Sequence, residues 1–455
     1  MGQLFGTDGI RGRANEYPLT PEMIVRIGKS IATVFGDWPK AHIVVGADTR
    51  ASGDMVVTAL CSGICSAGVN VLHTGVIPTP AVAYLTAQTE PAVAGVVISA
   101  SHNPYFDNGI KVFGGDGYKL SDQIEADIES RILDEKSADM APSPNQEIGR
   151  ILQLSDAEGL YIDFLHQGGS KKHNLDGLKL VIDCANGATY RVAQALFSIL
   201  KVDVTALFIR PDGKNINSDC GSEHTQSLAQ KVCETGADVG LAFDGDGDRL
   251  AVVDESGNGL TGDQVLVICA DYLKSQGQLQ NNIVVNTVMS NIGMATALKR
   301  LDIDYKTADV GDRRVMETMR ATGAILGGED SGHIIFMGQH TTGDGLLSAL
   351  RLMEAMVWQN KPLSEIAKVM TVAPQALLNV AVKSKPDLDK LVPVQEAIKQ
   401  VESQLGTKGR VLVRYSGTQP MCRVMVEGPT AEITKQYSRK IADTVLKTIG
   451  DADEP

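Results

Sequence analysis

The 455-residue chain is poor in cysteine, has no long apolar run and carries no excess of basic residues. Its seven cysteines are an odd number without a Cys-x-x-Cys pair; Cys61 and Cys65 come nearest, one helical turn apart. That pattern excludes a disulfide framework and a zinc module, and fits a reducing compartment. No apolar stretch approaches the roughly 18 residues a membrane span needs. The N-terminus, Met1-Gly-Gln-Leu-Phe-Gly-Thr-Asp8, lacks the basic and then apolar segments of a secretory signal, and Gly2 lacks the downstream hydroxyl of a myristoylation signal. The expected location is the cytoplasm, with no membrane partner. Lys and Arg total 42 against 55 Asp and Glu, a net charge of −13, so no nucleic-acid partner is expected. A site for an anionic substrate must then be basic locally. Also absent are the Gly-x-x-x-x-Gly-Lys-Ser/Thr phosphate loop and the Gly-x-Ser-x-Gly elbow of α/β-hydrolases.

Hydrophobic residues make up 43% of the chain, enough for sizeable cores. Short β-branched runs alternate with longer amphipathic stretches. His42–Gly46, Asn70–His73 and Gly95–Ser99 read as strands, and Met55–Ala67 and Asp122–Leu133 as helices. The alternation predicts βαβ units and a largely parallel sheet. Polar, proline-bearing Ser137–Gln146 suggests a boundary near residue 150. A second rhythm runs from Lys179–Asp183 to Leu250–Asp254, and a third begins at Asp263 with a strand at Asn282–Asn286. The last segment reads as a strand (Ala373–Lys383), a helix (Leu388–Leu405), strands Arg410–Arg414 and Arg423–Glu427, and a helix Ala431–Thr448. The expected fold class is α/β: three similar domains with mixed or parallel sheets (1–150, 151–254 and 255–370), then a smaller α+β domain (371–455).

The sharpest chemical signal is Phe243-Asp-Gly-Asp-Gly-Asp-Arg249. Three carboxylates at alternate positions, with glycines to let the backbone curl, can converge on one hard cation. The site would hold Mg²⁺ or Ca²⁺ rather than zinc. An EF-hand is excluded, because Arg249 stands where its loop needs glycine and the flanks read as strands. Close-packed like charges are costly without a cation, which argues against a mere acidic turn. In Ile98-Ser-Ala-Ser-His-Asn-Pro104, with Lys111 beyond, Ser101 is a candidate nucleophile, His102 could polarise it and Lys111 could carry a proton. A helix-capping turn is the plainer alternative. Gly327-Gly-Glu-Asp-Ser-Gly-His333 offers groups that hydrogen-bond vicinal sugar hydroxyls, or forms a polar turn between strands. Arg414-Tyr-Ser-Gly-Thr-Gln-Pro420 with Arg423 makes a phosphate cradle in an otherwise acidic chain. The loops around Thr7 and Arg11, and around Asp48, Arg50 and Ser52, could be turns with an internal Asp–Arg pair. Gly257-Asn-Gly-Leu-Thr-Gly262 matches a dinucleotide fingerprint, but the acidic residue expected further on is missing, and Asp254–Gly259 reads as a hairpin.

Together, Ser99–Pro104, Asp244–Arg249, Gly328–His333 and Arg414–Thr418 resemble, in order and over the whole chain, the marker loops of the α-D-phosphohexomutase superfamily. Phe5–Gly12, Asp183–Tyr190, Val310–Arg313 and Thr341–Gly345 are similar to its bacterial amino-sugar branch. The resemblance implies four domains around a central cleft, a homodimer, and interconversion of glucosamine 6-phosphate and 1-phosphate; glucose or mannose phosphate is the alternative substrate. It implies a phosphoserine at Ser101, a sugar 1,6-bisphosphate that serves as intermediate and activator, and Mg²⁺ between Ser101 and Asp244, Asp246 and Asp248. Arg11 and Lys111 would assist transfer, with Arg249 near the transferring group. Glu329, Ser331 and His333 would bind the sugar. Arg414, Ser416, Gly417, Thr418 and Arg423 would clamp the other phosphate. Two departures bear on specificity: Gln419 stands where the family has Glu, and Asp330 where Gln or Asn is commoner. A sugar-phosphate sensor and a phosphatase using Asp244 as nucleophile are the competing function classes.

Overall fold

A computed structural model describes residues 3–6, 8–36, 41–134, 147–168, 174–416 and 420–450. It divides into two compact units, residues 1–289 with 303–369, and residues 290–302 with 370–455.

The larger unit holds three sheets. The first has strands β1 (Phe5–Gly6), β2 (Gly9–Arg13), β3 (His42–Ala47), β4 (Asn70–Val76), β5 (Ala92–Ile98), β6 (Asp107–Gly114) and β7 (Ile151–Gln153). Their order is β1-β2-β6-β5-β3-β4-β7. β3 pairs in parallel with β4 and β5, as the βαβ rhythm predicts, but β6 runs antiparallel to both β5 and β2. The sheet is therefore mixed, and the Ser101 loop joins two antiparallel strands. No helix follows that loop, so the capping alternative fails. In the register, Ile98 faces Ile110 and Val97 faces Lys111, which brings Lys111 back alongside the strand that leads into Ser101.

Helices Pro21–Phe35 and Gly53–Ser66 pack against each other on this sheet. The first is capped by the Thr20 hydroxyl, with Pro21 in its opening turn. A Cβ on Gly28 would strike the Leu60 carbonyl, and one on Gly63 the Val25 carbonyl, so the two helices approach backbone to backbone through reciprocal glycines. Ile24, Ile27, Ile31, Val56, Leu60 and Ile64 fill the fully buried layer beneath.

The second sheet comprises β8 (Lys179–Asp183), β9 (Asp203–Leu207), β10 (Val239–Phe243), β11 (Leu250–Asp254) and β12 (Gly259–Leu260), in the order β12-β11-β10-β8-β9. β10 and β11 are antiparallel, Phe243 opposite Leu250, so the acidic loop is a hairpin tip between strands, as its flanks predict. β11 and β12 form the expected hairpin through Asp254–Gly257. The third sheet is β13 (Ile283–Thr287), β14 (Asp304–Ala308), β15 (Leu326–Gly328) and β16 (Ile334–Phe336), ordered β14-β13-β15-β16. The Glu329–His333 loop connects the antiparallel pair β15 and β16.

The smaller unit carries an antiparallel sheet of β17 (Gln375–Ala381), β18 (Arg410–Tyr415) and β19 (Met421–Glu427), ordered β17-β19-β18. Val380, Val394, Val401, Val424, Ile441 and Val445 form its core. The single helix expected over Leu388–Leu405 is instead a 3₁₀ turn, Leu388–Lys390, followed by an α-helix from Val392. Pro393 explains the break, because proline is tolerated in an opening turn but removes an amide from a helix interior. The expected architecture of three α/β segments and a smaller α+β segment is observed. Among the described residues, no helix is long and apolar enough to cross a membrane. All seven cysteines are free, and burial pushes the Cys61, Cys184, Cys220 and Cys269 thiols up to about 12, which makes them poor nucleophiles.

Candidate active site

The larger unit brings the serine and aspartate loops together. Ser101 is buried at 2% exposure with φ of 54°, a left-handed conformation that is uncommon for serine. Its loop is pinned from below. The Ser101 amide donates to Ser99 Oγ (2.9 Å), and Ser99 Oγ donates to Asp48 Oδ2 (2.6 Å). Asp48 pairs with Arg50 at 2.9 Å, and the Arg50 guanidinium donates to the carbonyls of Ser101 (2.9 Å) and Asn103 (2.8 Å). The Asp48–Arg50 turn is thus an internal ion pair that holds the serine loop in shape. Asn217 Nδ2 adds a bond to the Ser101 carbonyl at 2.9 Å.

Ser101 Oγ donates to Asp244 Oδ2 at 2.5 Å, across 143 positions of sequence. Asp244, Asp246 and Asp248 are all buried, and one ligand oxygen from each lies within 4.8 Å of the others. The loop that carries them is held from three sides. The Ala188 amide reaches the Gly245 carbonyl (2.8 Å), the Thr79 amide the Asp246 carbonyl (2.8 Å), and the Gly345 amide the Gly247 carbonyl (3.0 Å). Two of these partners lie in Asp183–Tyr190 and Thr341–Gly345, motifs that the sequence singles out without assigning them a task. A Cβ at Gly245 would sit 2.6 Å from the Ser101 carbonyl oxygen, so glycine is needed for this close approach.

The triad suits a hard cation. Oδ1 of Asp246 and Oδ1 of Asp248 are buried without a hydrogen-bond partner. Burial and the neighbouring Asp248 and Asp246 charges push the Asp244 carboxyl well above its ordinary range. Such a set is stable as three carboxylates only with positive charge among them.

Lys111 supplies part of that charge. Its ammonium is buried and lies 2.8 Å from Asp246, 3.3 Å from Asp248 and 3.1 Å from Asp8. Burial opposes the charged form, yet Asp246, Asp8 and Asp248 together raise its pKa well above the ordinary lysine value. Arg11 pairs with Asp8 at 2.5 Å, the internal pair its loop suggested, while Thr7 lies outside the described residues. His102 Nδ1 is 3.3 Å from Ser101 Oγ; burial first and then the Arg249 charge lower its pKa, so it stays neutral. The Arg249 amide donates to Asp244 Oδ1 (3.2 Å), and its side chain faces Glu223 at 3.5 Å.

The sugar-type loop differs. Glu329 is part-buried and accepts the Gly311 amide at 3.0 Å, and Ser331 is exposed. His333 is buried, and neither ring nitrogen has a hydrogen-bond partner. Asp330 accepts the Asp263 amide at 3.2 Å, at the start of helix Gly262–Ser275. That carboxylate therefore serves a helix N-terminus.

In the smaller unit, Arg414 and Arg423 are direct partners on β18 and β19. Like charges opposite each other destabilise a strand pair unless an anion lies between them. Arg423 Nε is buried without a hydrogen-bond partner, Ser416 is buried, and Lys385 Nζ donates to the Ser416 carbonyl at 2.6 Å. Gly417, Thr418 and Gln419 lie outside the described residues.

Asp8, Thr79, Lys119, Asn217 and Asp312 join the network without standing out in the sequence. Asp8 lies within Phe5–Gly12 and Asp312 within Val310–Arg313, both of which carried the resemblance, whereas Thr79, Lys119 and Asn217 are single polar residues with no motif around them.

The chain matches the phosphoglucomutase/phosphomannomutase models for α/β/α domain I over residues 2–139, domain II over 160–258, domain III over 261–372 and the C-terminal domain over 377–444. It is 55% identical over 453 residues to a phosphoglucosamine mutase of Syntrophus aciditrophicus, covering 99% of this chain and 100% of that one. A second phosphoglucosamine mutase, from Syntrophobacter fumaroxidans, is 52% identical over 451 residues, with 99% and 100% covered. Among solved structures, a phosphoglucomutase/phosphomannomutase family protein from Burkholderia thailandensis aligns over 97% of each chain, with TM-score 0.80 and 25% identity. An Aspergillus fumigatus N-acetylphosphoglucosamine mutase, solved with GlcNAc-6P and magnesium, shares the fold at TM-score 0.66 and 16% identity, over 98% and 96% of the two chains.

Proposed function

The chain belongs to the phosphoglucomutase/phosphomannomutase family, and from that premise we propose that it is an isomerase interconverting glucosamine 6-phosphate and glucosamine 1-phosphate by way of a phosphorylated Ser101. The observation that carries this reading is the buried contact of Ser101 Oγ with Asp244, in a carboxylate triad with unpartnered oxygens and with Lys111 beside it.

Asp244, Asp246 and Asp248, together with the Ser101 phosphate, would hold Mg²⁺, which when bound neutralises charge on the transferring phosphoryl group. Ser101 gives its phosphoryl group to the free hydroxyl of the sugar phosphate, forming a 1,6-bisphosphate, and accepts the other phosphate back. The same bisphosphate serves as activator by phosphorylating Ser101. Lys111, held as the ammonium by its carboxylate neighbours, gives its proton to the departing Ser101 oxygen as the phosphoserine ester breaks, and the amine so formed takes up the proton of the attacking sugar hydroxyl as the new ester forms. His102, neutral and 3.3 Å from Ser101 Oγ, accepts the serine proton when the free hydroxyl is phosphorylated. Arg11 and Arg249 offset charge near the phosphoryl group. Glu329, Ser331 and His333 bind sugar hydroxyls. Arg414, Ser416, Gly417, Thr418 and Arg423 hold the non-reacting phosphate, and the opposed arginines are the physical reason for assigning an anion there. We also infer a homodimer, a cytoplasmic location, and domain limits at residues 150, 254 and 370.

Phosphorus NMR of glucosamine 6-phosphate with Mg²⁺ and a trace of sugar 1,6-bisphosphate tests this function, with glucose and mannose 6-phosphates in parallel. The expected result is a 1-phosphate signal that is fastest from glucosamine, lost with a chelator and lost in Ser101→Ala. Faster conversion of glucose or mannose phosphate would move the substrate to that sugar. Free phosphate without any 1-phosphate would overturn the mutase in favour of a phosphatase.

A further inference from the structure

A chain of alternating charges runs from the reacting end of the site to the sugar-type loop. Lys111 (3.1 Å) and Arg11 (2.5 Å) both bind Asp8 Oδ2. Asp8 Oδ1 binds the ammonium of Lys119, and Lys119 also binds Asp312 Oδ2. Asp312 Oδ2 lies 3.7 Å from Nε2 of His333. The linking side chains are 15–20% exposed, so solvent screens them little.

Each member enters from a different piece of chain. Asp8 sits in the turn between β1 and β2. Lys119 follows the turn that ends β6, where it bridges back to Phe113. Asp312 opens helix Asp312–Thr322, whose preceding residue, Gly311, is tied by its amide to Glu329. Removing Lys119 would leave two part-buried carboxylates without the cation that bridges them. Burial works against both charges, yet Lys111 first, then Lys119 and Arg11, hold Asp8 well below the ordinary carboxylate range, and Lys119 holds Asp312 below it.

We propose that Lys119 is a positioning residue for phosphoryl transfer: through Asp8 it sets Lys111 and Arg11, and through Asp312 it sets His333, so the two loops are held in one geometry. Lys119 touches neither phosphate nor sugar in this role. The inference rests on the mutase reading above. Its effect falls on the chemical step, because misaligned groups cost rate more than they cost ground-state binding.

Steady-state kinetics of the full-length wild type, Lys119→Met and Lys119→Arg test it, with thermal melting of each. Lys119→Met is expected to lower kcat by about 10- to 100-fold, the usual cost of losing an outer supporting group. KM for the sugar phosphate should change less than about threefold. Lys119→Arg, which keeps the charge, should recover most of the rate. Asp312→Asn added to Lys119→Met should cost little more, as expected of residues acting as a unit. Lys119→Gln replaces Lys119→Met if the latter does not fold. Unchanged kcat, a rise in KM alone, or additive losses in the double variant would overturn the proposal while leaving the mutase intact. A wild type that makes no 1-phosphate sinks the mutase reading and this inference with it.

Discussion

The serine and aspartate loops and the C-terminal arginine loop both gather charge, and they do so in opposite ways. In the first, every lysine and arginine is matched by a carboxylate: Lys111 by Asp246, Asp248 and Asp8, Arg11 by Asp8, and Arg50 by Asp48. In the second, Arg414 faces Arg423 across a strand pair, and Arg423 Nε is buried without a hydrogen-bond partner. The first network is preorganised, with its internal partners already in position, as a group-transfer site needs. The second sets arginine opposite arginine on β18 and β19, an arrangement that suits an anion between them. Under the proposed function the first region serves rate and the second binding, and this can be tested variant by variant.

The largest effect is expected from Ser101→Ala or Asp246→Asn, each lowering kcat by about 10³-fold or more in a coupled mutase assay, because they remove the proposed phosphoryl carrier or a proposed cation ligand. Arg423 is the counter-case. A next-largest loss, about 10²-fold in kcat, is expected for Gly245→Ala, whose Cβ would push on the Ser101 carbonyl although it adds no charge. If Gly245→Ala were as active as wild type, the close approach of the two loops would not matter to the chemistry. Arg423→Met should raise KM for the sugar phosphate by about 10- to 100-fold, the worth of a charge-assisted bond, with kcat changed far less. An equal fall in kcat would erase the distinction between the regions. Calorimetric titration sharpens it further: Lys111→Met should bind Mg²⁺ more tightly while losing rate, since an internal cation no longer competes for Asp246 and Asp248, whereas Arg423→Met should leave Mg²⁺ binding unchanged. The smallest effect is expected from Lys385→Ala, which removes one bond to the Ser416 carbonyl and should raise KM by about three- to tenfold.

Much of the site was legible before the structure because its chemistry is written in short contiguous runs. Asp244–Arg249 alternates carboxylate and glycine, and both flanks are apolar strands, so a hairpin tip with converging oxygens follows from local rules. Ser101, His102 and Lys111 were visible as candidates for the same reason. The serine loop also shows where local reading stops. A hydroxyl-rich turn reads equally well as a helix cap, and only the pairing of β6 against β5 decides that it is a hairpin carrying Lys111 back to the site. The helix over Leu388–Leu405 failed for a small local reason, Pro393, that periodicity alone does not weigh. Asp330, where Gln or Asn is commoner, left open in the sequence whether its carboxylate meets the sugar or solvent; in the fold it is exposed and its Oδ1 accepts the Asp263 amide at a helix start. Lys119 had no signal at all, since one lysine after a turn is indistinguishable from a solvated one.

The sequence by itself determined the kinds of groups present, their short-range order, the alternation of strands and helices, and the membership that implies a phosphohexomutase. The tertiary structure alone decided which distant charges meet. Ser101 and Asp244 lie 143 positions apart, and Lys119 and Asp312 lie 193 apart. No local rule couples such residues. They meet because the strand orders of separate sheets, closed by buried apolar layers, place their loops together, and because a buried carboxylate is tolerated only where a cation or a donor is brought to it.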